Sequence, residues 1–164
     1  MATKVHLKLK LNGTDIEGEC VSSDEPMRDK TIECLSYVEA VDVPSDSATG
    51  RPAGNRRYAP VLITKRVDKT SPLLNRALYN NETAEAEFRF FRSSPSGDGT
   101  TQHFFTVVIE RAQISSIKRI SPDVTDAATA RLAPFEEVGI TFGSIDWKYE
   151  DGNVEARDPF SGNS

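Results

Sequence analysis

Four side chains in this 164-residue sequence have the chemistry for nucleophilic, acid–base or metal-binding work: Cys20, Cys34, His6 and His103. None stands in a pattern that would use it. Two His and two Cys spread along the chain do not give the paired spacing of a zinc site. His103 has no acid, nucleophile or second His at a spacing that would make it a general base. The sequence contains no G-x-x-x-x-G-K-[ST], no G-x-G-x-x-G and no G-x-S-x-G, so it shows neither a phosphate cradle nor a nucleophile elbow. Its 25 Asp and Glu residues cannot be divided into catalytic pairs and solvated surface. No enzyme activity, cofactor or metal is expected. The two thiols are either both reduced, the usual state in a cytoplasmic chain, or joined; the spacing selects neither.

The charges point instead to association. Residues 44–57 read PSDSATGRPAGNRR, dense in Pro, Gly, Ser and Asn and nearly free of apolar side chains. A loop this long in a compact domain is uncommon and is either functional or disordered. Arg51, Arg56 and Arg57 are followed by Lys65 and Arg66 with no acid among them. Residues 146–164 carry Asp146, Glu150, Asp151, Glu155 and Asp158 against Lys148 and Arg157. Two readings stay open: a floppy surface loop, or a protruding arm that becomes ordered against another subunit. The charge favours the arm. A basic arm and an acidic tail could meet on neighbouring copies, and such complementarity sets register and encounter rate more than affinity. The net charge of −5 argues against nucleic acid as a partner. With 37% hydrophobic and 27% charged residues, and no apolar run near the roughly 20 residues of a membrane helix, no membrane insertion is expected. The N-terminal MATKVHLKLKL alternates and forms no apolar block. A cleavable leader is therefore not expected, and synthesis should end in the cytoplasm.

The elements that position these residues are mostly strands. In residues 4–11, Val5, Leu7, Leu9 and Leu11 face one way; Lys4, His6, Lys8 and Lys10 form the solvated row. Asn12-Gly13 signals a hairpin turn into a strand over residues 16–22. Residues 23–30 form a polar loop. Residues 31–43 read as one long strand or two joined pieces, with a bulge at Cys34-Leu35 where the alternation slips. Val61, Leu62 and Ile63 mark a buried strand, and the charged residues 65–69 turn the chain. Asp68 can accept from N–H groups at the following helix start. Ser71 caps that helix and Pro72 sits at its first position, over Ser71–Tyr79. Leu73, Leu74, Ala77 and Leu78 form its apolar stripe, and Asn80-Asn81 closes it. A helix of about two turns must be held by packing on a sheet. Residues 84–92 and 101–110 pair as strands, the second apolar on both faces. Residues 112–120 form another strand, and 121–134 a loop. Residues 137–150 change parity at Gly143-Ser144, the mark of a bulge in a bending strand. Residues 159–164 are a polar, frayed tail. Seven to nine strands and one short helix in one domain over residues 1–164 give a mainly β fold, an antiparallel barrel or sandwich.

The runs KRVDKTSPLLNRAL, FFRSS, HFFTVVIERAQISSI and FEEVGITFGSIDWKYEDG, in this order and spacing, resemble the haemolysin-coregulated protein (Hcp) family, which forms the tube of the bacterial type VI secretion system. The resemblance runs from Val5 to about Asp158. It implies a distorted antiparallel β-barrel with one short α-helix, assembling into a hexameric ring. Rings stack into a tube inside a contractile sheath, on a baseplate and behind a spike protein, and small effector proteins ride in the lumen. The tube is assembled in the cytoplasm and then secreted without a cleavable signal peptide. Residues 44–57 take the place of the family's inter-ring loop, so Ser47, Thr49, Gly50, Arg51, Pro52, Gly54, Arg56 and Arg57 are its expected contact residues. The alternative from residues alone is a monomeric β-barrel that carries a small ligand.

Overall fold

Strand β1 (Val5–Leu11) forms because its apolar residues alternate, and Leu7, Leu9 and Leu11 all point inward. The computed structural model describes residues 4–21 and 27–159; the frayed tail expected beyond residue 159, and part of the polar loop at 23–30, lie outside these. Asn12 and Gly13, both at positive φ, turn β1 into β2 (Thr14–Ile16). This second strand is shorter than its sequence suggested: beyond Ile16 the chain leaves the sheet and Val21 is exposed.

The remaining elements are β3 (Ile32–Val38), β4 (Val41–Asp42), β5 (Arg57–Tyr58), β6 (Val61–Arg66), α1 (Ser71–Tyr79), β7 (Ala84–Ser93), β8 (Thr101–Ile120), β9 (Phe135–Thr141), β10 (Ser144–Tyr149) and β11 (Val154–Asp158). All pairings are antiparallel. The order β8-β7-β1-β3-β6-β9 closes on itself through a β8–β9 pairing, giving a six-stranded barrel with β10 and β11 extending from β8. Residues 31–43 are thus two pieces, and the expected bulge falls between Cys34 and Ser36. Residues 121–134 form turns, as expected of a loop.

The two strands expected at 101–110 and 112–120 are one. Strand β8 runs unbroken for 20 residues and bends at Arg111, whose φ is 49°. Opposite the bend, β9 gives way to β10 at Phe142-Gly143, and both pair with β8. Gly143 lies against Arg111: a Cβ there would be 2.8 Å from Arg111 Nε. Its N–H donates to Glu110 O at 3.0 Å, and Arg111 Nη2 donates to its carbonyl at 2.7 Å. The slip restores parity, so Val138 and Ile140 before it and Ile145 after it all face the core.

Leu9, Ile32, Ile63, Phe88, Val107, Ile109, Val138 and Ile140 fill the barrel, and α1 adds Leu74 and Ala77. Leu73 and Leu78 pack half-buried against it. The helix start differs from expectation. Thr70 is the N-cap residue, without a side-chain cap bond, and Pro72 lies one position inside the helix. Asp68 does accept from the Thr70 N–H, at 2.9 Å. Ser71 does not cap; its hydroxyl accepts from the Asp68 N–H at 3.0 Å and donates to Glu136 Oε1 at 2.7 Å. The close of the helix is as expected, with Asn81 at φ 52°.

Lys65 is the largest departure from the sequence reading. It is not a turn residue but the third inward position of β6, after Val61 and Ile63, and it is 0% exposed. Directly across the ladder is Glu136, also 0% exposed. Lys65 Nζ donates to Glu136 Oε1, to Asp68 Oδ1 at 3.0 Å and to the Arg66 carbonyl at 2.9 Å. Arg119 Nε reaches Glu136 Oε2 at 2.9 Å, while its Nη2 donates to Asn75 on the helix at 2.7 Å. Burial pushes the Glu136 carboxyl up, but hydrogen bonds from Lys65, Ser71 and Arg119 outweigh it and hold the pKa below the usual value. His6 is likewise not solvated. It lies 4% exposed beneath Phe91, with Nδ1 2.9 Å from Thr31 Oγ1. Burial, opposed by Glu33, pulls its pKa down from 6.5 to about 4.

Two expected outcomes follow. Glu136→Ala should cost about 3–5 kcal/mol in urea unfolding, because it leaves the Lys65 ammonium buried without its counter-charge; a loss under about 1 kcal/mol would contradict this. Between pH 6.5 and about 4 the unfolded chain takes up a proton at His6 that the folded chain refuses. Stability conferred by neutral His6 is therefore complete above pH 6.5 and falls by about 3 kcal/mol as pH drops to 4. His6→Gln should flatten that part of the stability–pH profile, and an unchanged slope would contradict the assignment.

Candidate assembly surfaces

The segment 44–57 projects from the barrel end at which β6 begins. It is hydrogen-bonded within itself. Val41 pairs with Tyr58 and Asp42 with Arg57, and farther out Ser45 bridges to Pro52. The Ala53 N–H donates to Pro44 O at 2.6 Å, the Asp46 N–H to Arg51 O at 2.7 Å and the Gly50 N–H to Asp46 O at 2.7 Å. Asp46 Oδ1 accepts from the Ala48 N–H. The result is a narrow, internally bonded hairpin whose Ser47, Thr49, Gly50, Arg51, Pro52, Gly54, Arg56 and Arg57 are all exposed.

Its charges are arranged differently from the expected pairing between copies. Arg57 Nη2 donates to Asp42 Oδ2 at 2.8 Å, within the hairpin. Arg56 grips Asp158 at the end of β11 through both Nε and Nη2. The basic arm and the acidic tail therefore meet inside one chain, which leaves Arg51 as the arm cation farthest from the root. Tyr58 donates its hydroxyl to the same Asp158 at 2.6 Å, and burial with that carboxylate raises the phenol to about 12. The Tyr58 ring meets Phe142 edge-on at 5.6 Å and stacks near Trp147 at 6.4 Å. Trp147 Nε1 donates to Glu39 Oε2 at 2.7 Å, and Tyr37 donates to Glu39 Oε1 at 2.8 Å. Sequence reading missed Glu39, Tyr58, Phe142 and Trp147 as the arm's root, and placed Asp158 on the wrong partner.

A second surface lies beside the arm. Across β3, β6, β9 and β8 the ladder sets Val38, Leu62, Gly139 and Ser116 in one uncharged row, in which Val38, Leu62 and Ser116 are exposed and Gly139 is buried. Leu62 was expected inside with Val61 and Ile63, yet it is 46% exposed and Val38 53%. A Cβ on Gly139 would lie 2.4 Å from Ser116 Oγ and 3.4 Å from a Leu62 methyl, so those two side chains close over the glycine. Leu35, Val41 and Val43 are exposed as well. Elsewhere around the barrel sheet, on β1, β7, β10 and β11, charges stand in registered pairs: Lys8 faces Glu87, Lys148 faces Glu155 and Asp146 faces Arg157. The strand expected to be apolar on both faces, β8, has Val107 and Ile109 in the core and half-buried Phe104 and Val108 outside.

Neither His nor Cys enters a site. His103 Nε2 lies 2.7 Å from Thr106 Oγ1, whose proton goes to Glu150 at 2.6 Å, so Thr106 is held as a structural link. Cys34 is buried, where desolvation raises its thiol to about 12; both thiols are free. Among the described residues no group of His, Cys, Asp and Glu is placed to hold a metal.

Residues 9–149 match the family described as "Type VI secretion system effector, Hcp". The "Major exported protein" of Pseudomonas aeruginosa is 36% identical over 127 residues, 74% of this chain and 73% of the relative. The structure of Hcp1 from the E. coli EAEC 042 pathovar has a TM-score of 0.80 at 29% identity, over 96% of this chain and 98% of that one. The secreted protein Hcp3 from Pseudomonas aeruginosa gives 0.74 at 25% identity, over 96% and 97%.

The arm root sets one expected outcome. Trp147→Phe keeps the ring beside Tyr58 but removes the N–H that Glu39 accepts. A hydrogen bond to a charged group is worth about 1.5–3 kcal/mol, and urea unfolding of the variant should show a loss of that order. No measurable loss would mean that the Trp147–Glu39 bond does not hold the root.

Proposed function

This chain belongs to the Hcp family of type VI secretion system proteins and is a tube subunit of that system, and we propose that it does this work mechanically, as six-membered rings stacked end to end. The observation that carries the reading is the uncharged row Val38, Leu62, Gly139 and Ser116. Val38 and Leu62 are adjacent apolar side chains on the outer face of the sheet, the kind of surface that an interface covers. A closed ring needs two unlike flanks on each subunit, because a head-to-tail contact joins different surfaces. The apolar flank and the flank of registered charge pairs supply that difference. The hydrogen-bonded arm supplies the axial contact between rings.

The monomeric carrier fits less well. Among the described residues the barrel interior is filled by Leu7, Leu9, Phe88, Val107 and Ile63, all at most 1% exposed, which leaves no room for a ligand there. Export follows from the likeness to the major exported protein. A sheath, baseplate and spike around and ahead of the tube, and small effector proteins inside it, are the partners such a subunit would have.

Leu62→Glu places a charge in the middle of the proposed flank. It should convert rings to single chains in sedimentation at tens of micromolar, with little change in thermal midpoint because Leu62 is already half exposed. Intact rings would overturn this flank as the contact. The stacking contact is tested at the arm's outer cation alone, because Arg56 and Arg57 have partners within the chain. Arg51→Glu should leave rings intact and shorten tubes in electron micrographs; equal tube lengths for variant and parent would sink that part.

A further inference from the structure

The arm is a stiff hairpin on a weak backbone hinge. Its two strands, β4 and β5, form a separate two-stranded sheet of two residue pairs. No ladder pairing joins them to the barrel sheet. At the root the Ala59 N–H donates to Ala40 O at 3.0 Å. The hairpin reaches out about seven residues, or about 20 Å at strand spacing. A tilt of about 15° at the root would move the tip by about 5 Å, enough to lose a specific contact. Something other than the backbone must fix the angle.

Two carboxylates from separate parts of the fold stand at that hinge. Asp158 closes β11, and it accepts from Arg56 on both oxygens and from the Tyr58 hydroxyl. Paired planar groups of this kind fix direction as well as distance. Its side chain is 14% exposed, so solvent screens it less than a surface acid. Glu39 lies just before β4 and takes one proton donor on each oxygen, Tyr37 from β3 and Trp147 from β10. One carboxylate holds the strand that returns from the arm; the other holds the strand that enters it. Arg56 and Asp158 are 102 residues apart, so the arm's direction depends on β11 being docked.

We propose that Asp158 and Glu39 are positioning residues that aim the arm at the neighbouring ring, so that seating of the C-terminal strand β11 sets whether a subunit can stack. This rests on the arm being the axial contact. Neither residue touches the neighbouring ring in this account; both act through Arg56, Tyr58 and Trp147.

The test measures arm direction and stacking separately. Spin labels go on Ala48→Cys at the tip and Lys118→Cys on β8, with Cys20→Ser to remove the half-exposed native thiol. The expected distance distribution is narrow in the otherwise unaltered chain. Asp158→Asn, Glu39→Gln or Arg56→Gln should broaden it at least two-fold, while rings persist in sedimentation and tubes shorten in micrographs. The exchanged pair Arg56→Asp with Asp158→Arg should restore a narrow distribution and longer tubes, which loss of stability alone would not do. An unchanged distribution in both Asp158→Asn and Glu39→Gln would overturn the positioning role. Broadening with full-length tubes would instead overturn the arm as the axial contact, and with it the purpose assigned to these residues.

Discussion

Strands β6 and β9 meet across a buried ion pair, Lys65 with Glu136, and both ends of that ribbon are placed from it. Toward Arg66 the pair gathers Asp68, Ser71 and Arg119, and through Asn75 it holds α1. Toward Val61 the same ribbon ends beside Tyr58 and Phe142, where the arm is rooted. A buried charge pair is weak evidence of net stability, since desolvation offsets the attraction. Here both oxygens of Glu136 and three directions from Lys65 are bonded, so leaving the geometry is costly. Any slip of one residue between β6 and β9 would turn Lys65 outward with its whole row. The pair therefore fixes register, and with register it fixes which residues face outward.

The outward residues then follow. Val61, Ile63 and Lys65 point in, so Leu62, Thr64 and Arg66 point out. Leu62 is exposed because its neighbours' parity is settled by the core, and it lands beside Val38 and Gly139. The apolar flank is thus a consequence of how the barrel interior is satisfied. The arm follows in the same way. Its own hairpin bonds make it stiff, but its direction comes from groups on β3, β10 and β11, brought together only when the barrel closes and β11 docks on β10. A hairpin held from three strands and the adjacent exposed pair Val38 and Leu62 are the features that the proposed stacking ring would use.

Much of this could be read from residue order. Alternation found β1, Asn12-Gly13 found its turn, the parity change found the bend at Gly143, and the segment Ser71–Tyr79 is the helix. The inward place of Lys65 was also within reach, since it shares parity with Val61 and Ile63, as Glu136 does with Val138 and Ile140. A charge at an inward position reads as a turn unless its counter-charge, 71 residues on, is matched with it. His6 was misplaced for a related reason. Its strand row is polar, but the segment carrying Thr31 and the ring of Phe91 cover that one position. The charge complementarity of arm and tail was legible, but not the root it builds within one chain. Arg56 and Asp158 are both ordinary surface residues by type, and only closure of the barrel makes them neighbours. The continuous β8 differs from the two strands its sequence suggests because Arg111 interrupts the alternation as a turn would, at a positive φ that a non-glycine residue seldom takes.

The most direct measurement is the native mass of the unaltered chain at micromolar concentration. The account predicts a dominant species at six times the 18.1 kDa subunit, with heavier multiples as rings stack. A single chain that persists up to the highest soluble concentration would contradict it, because the uncharged row would then be left open to water with nothing to cover it.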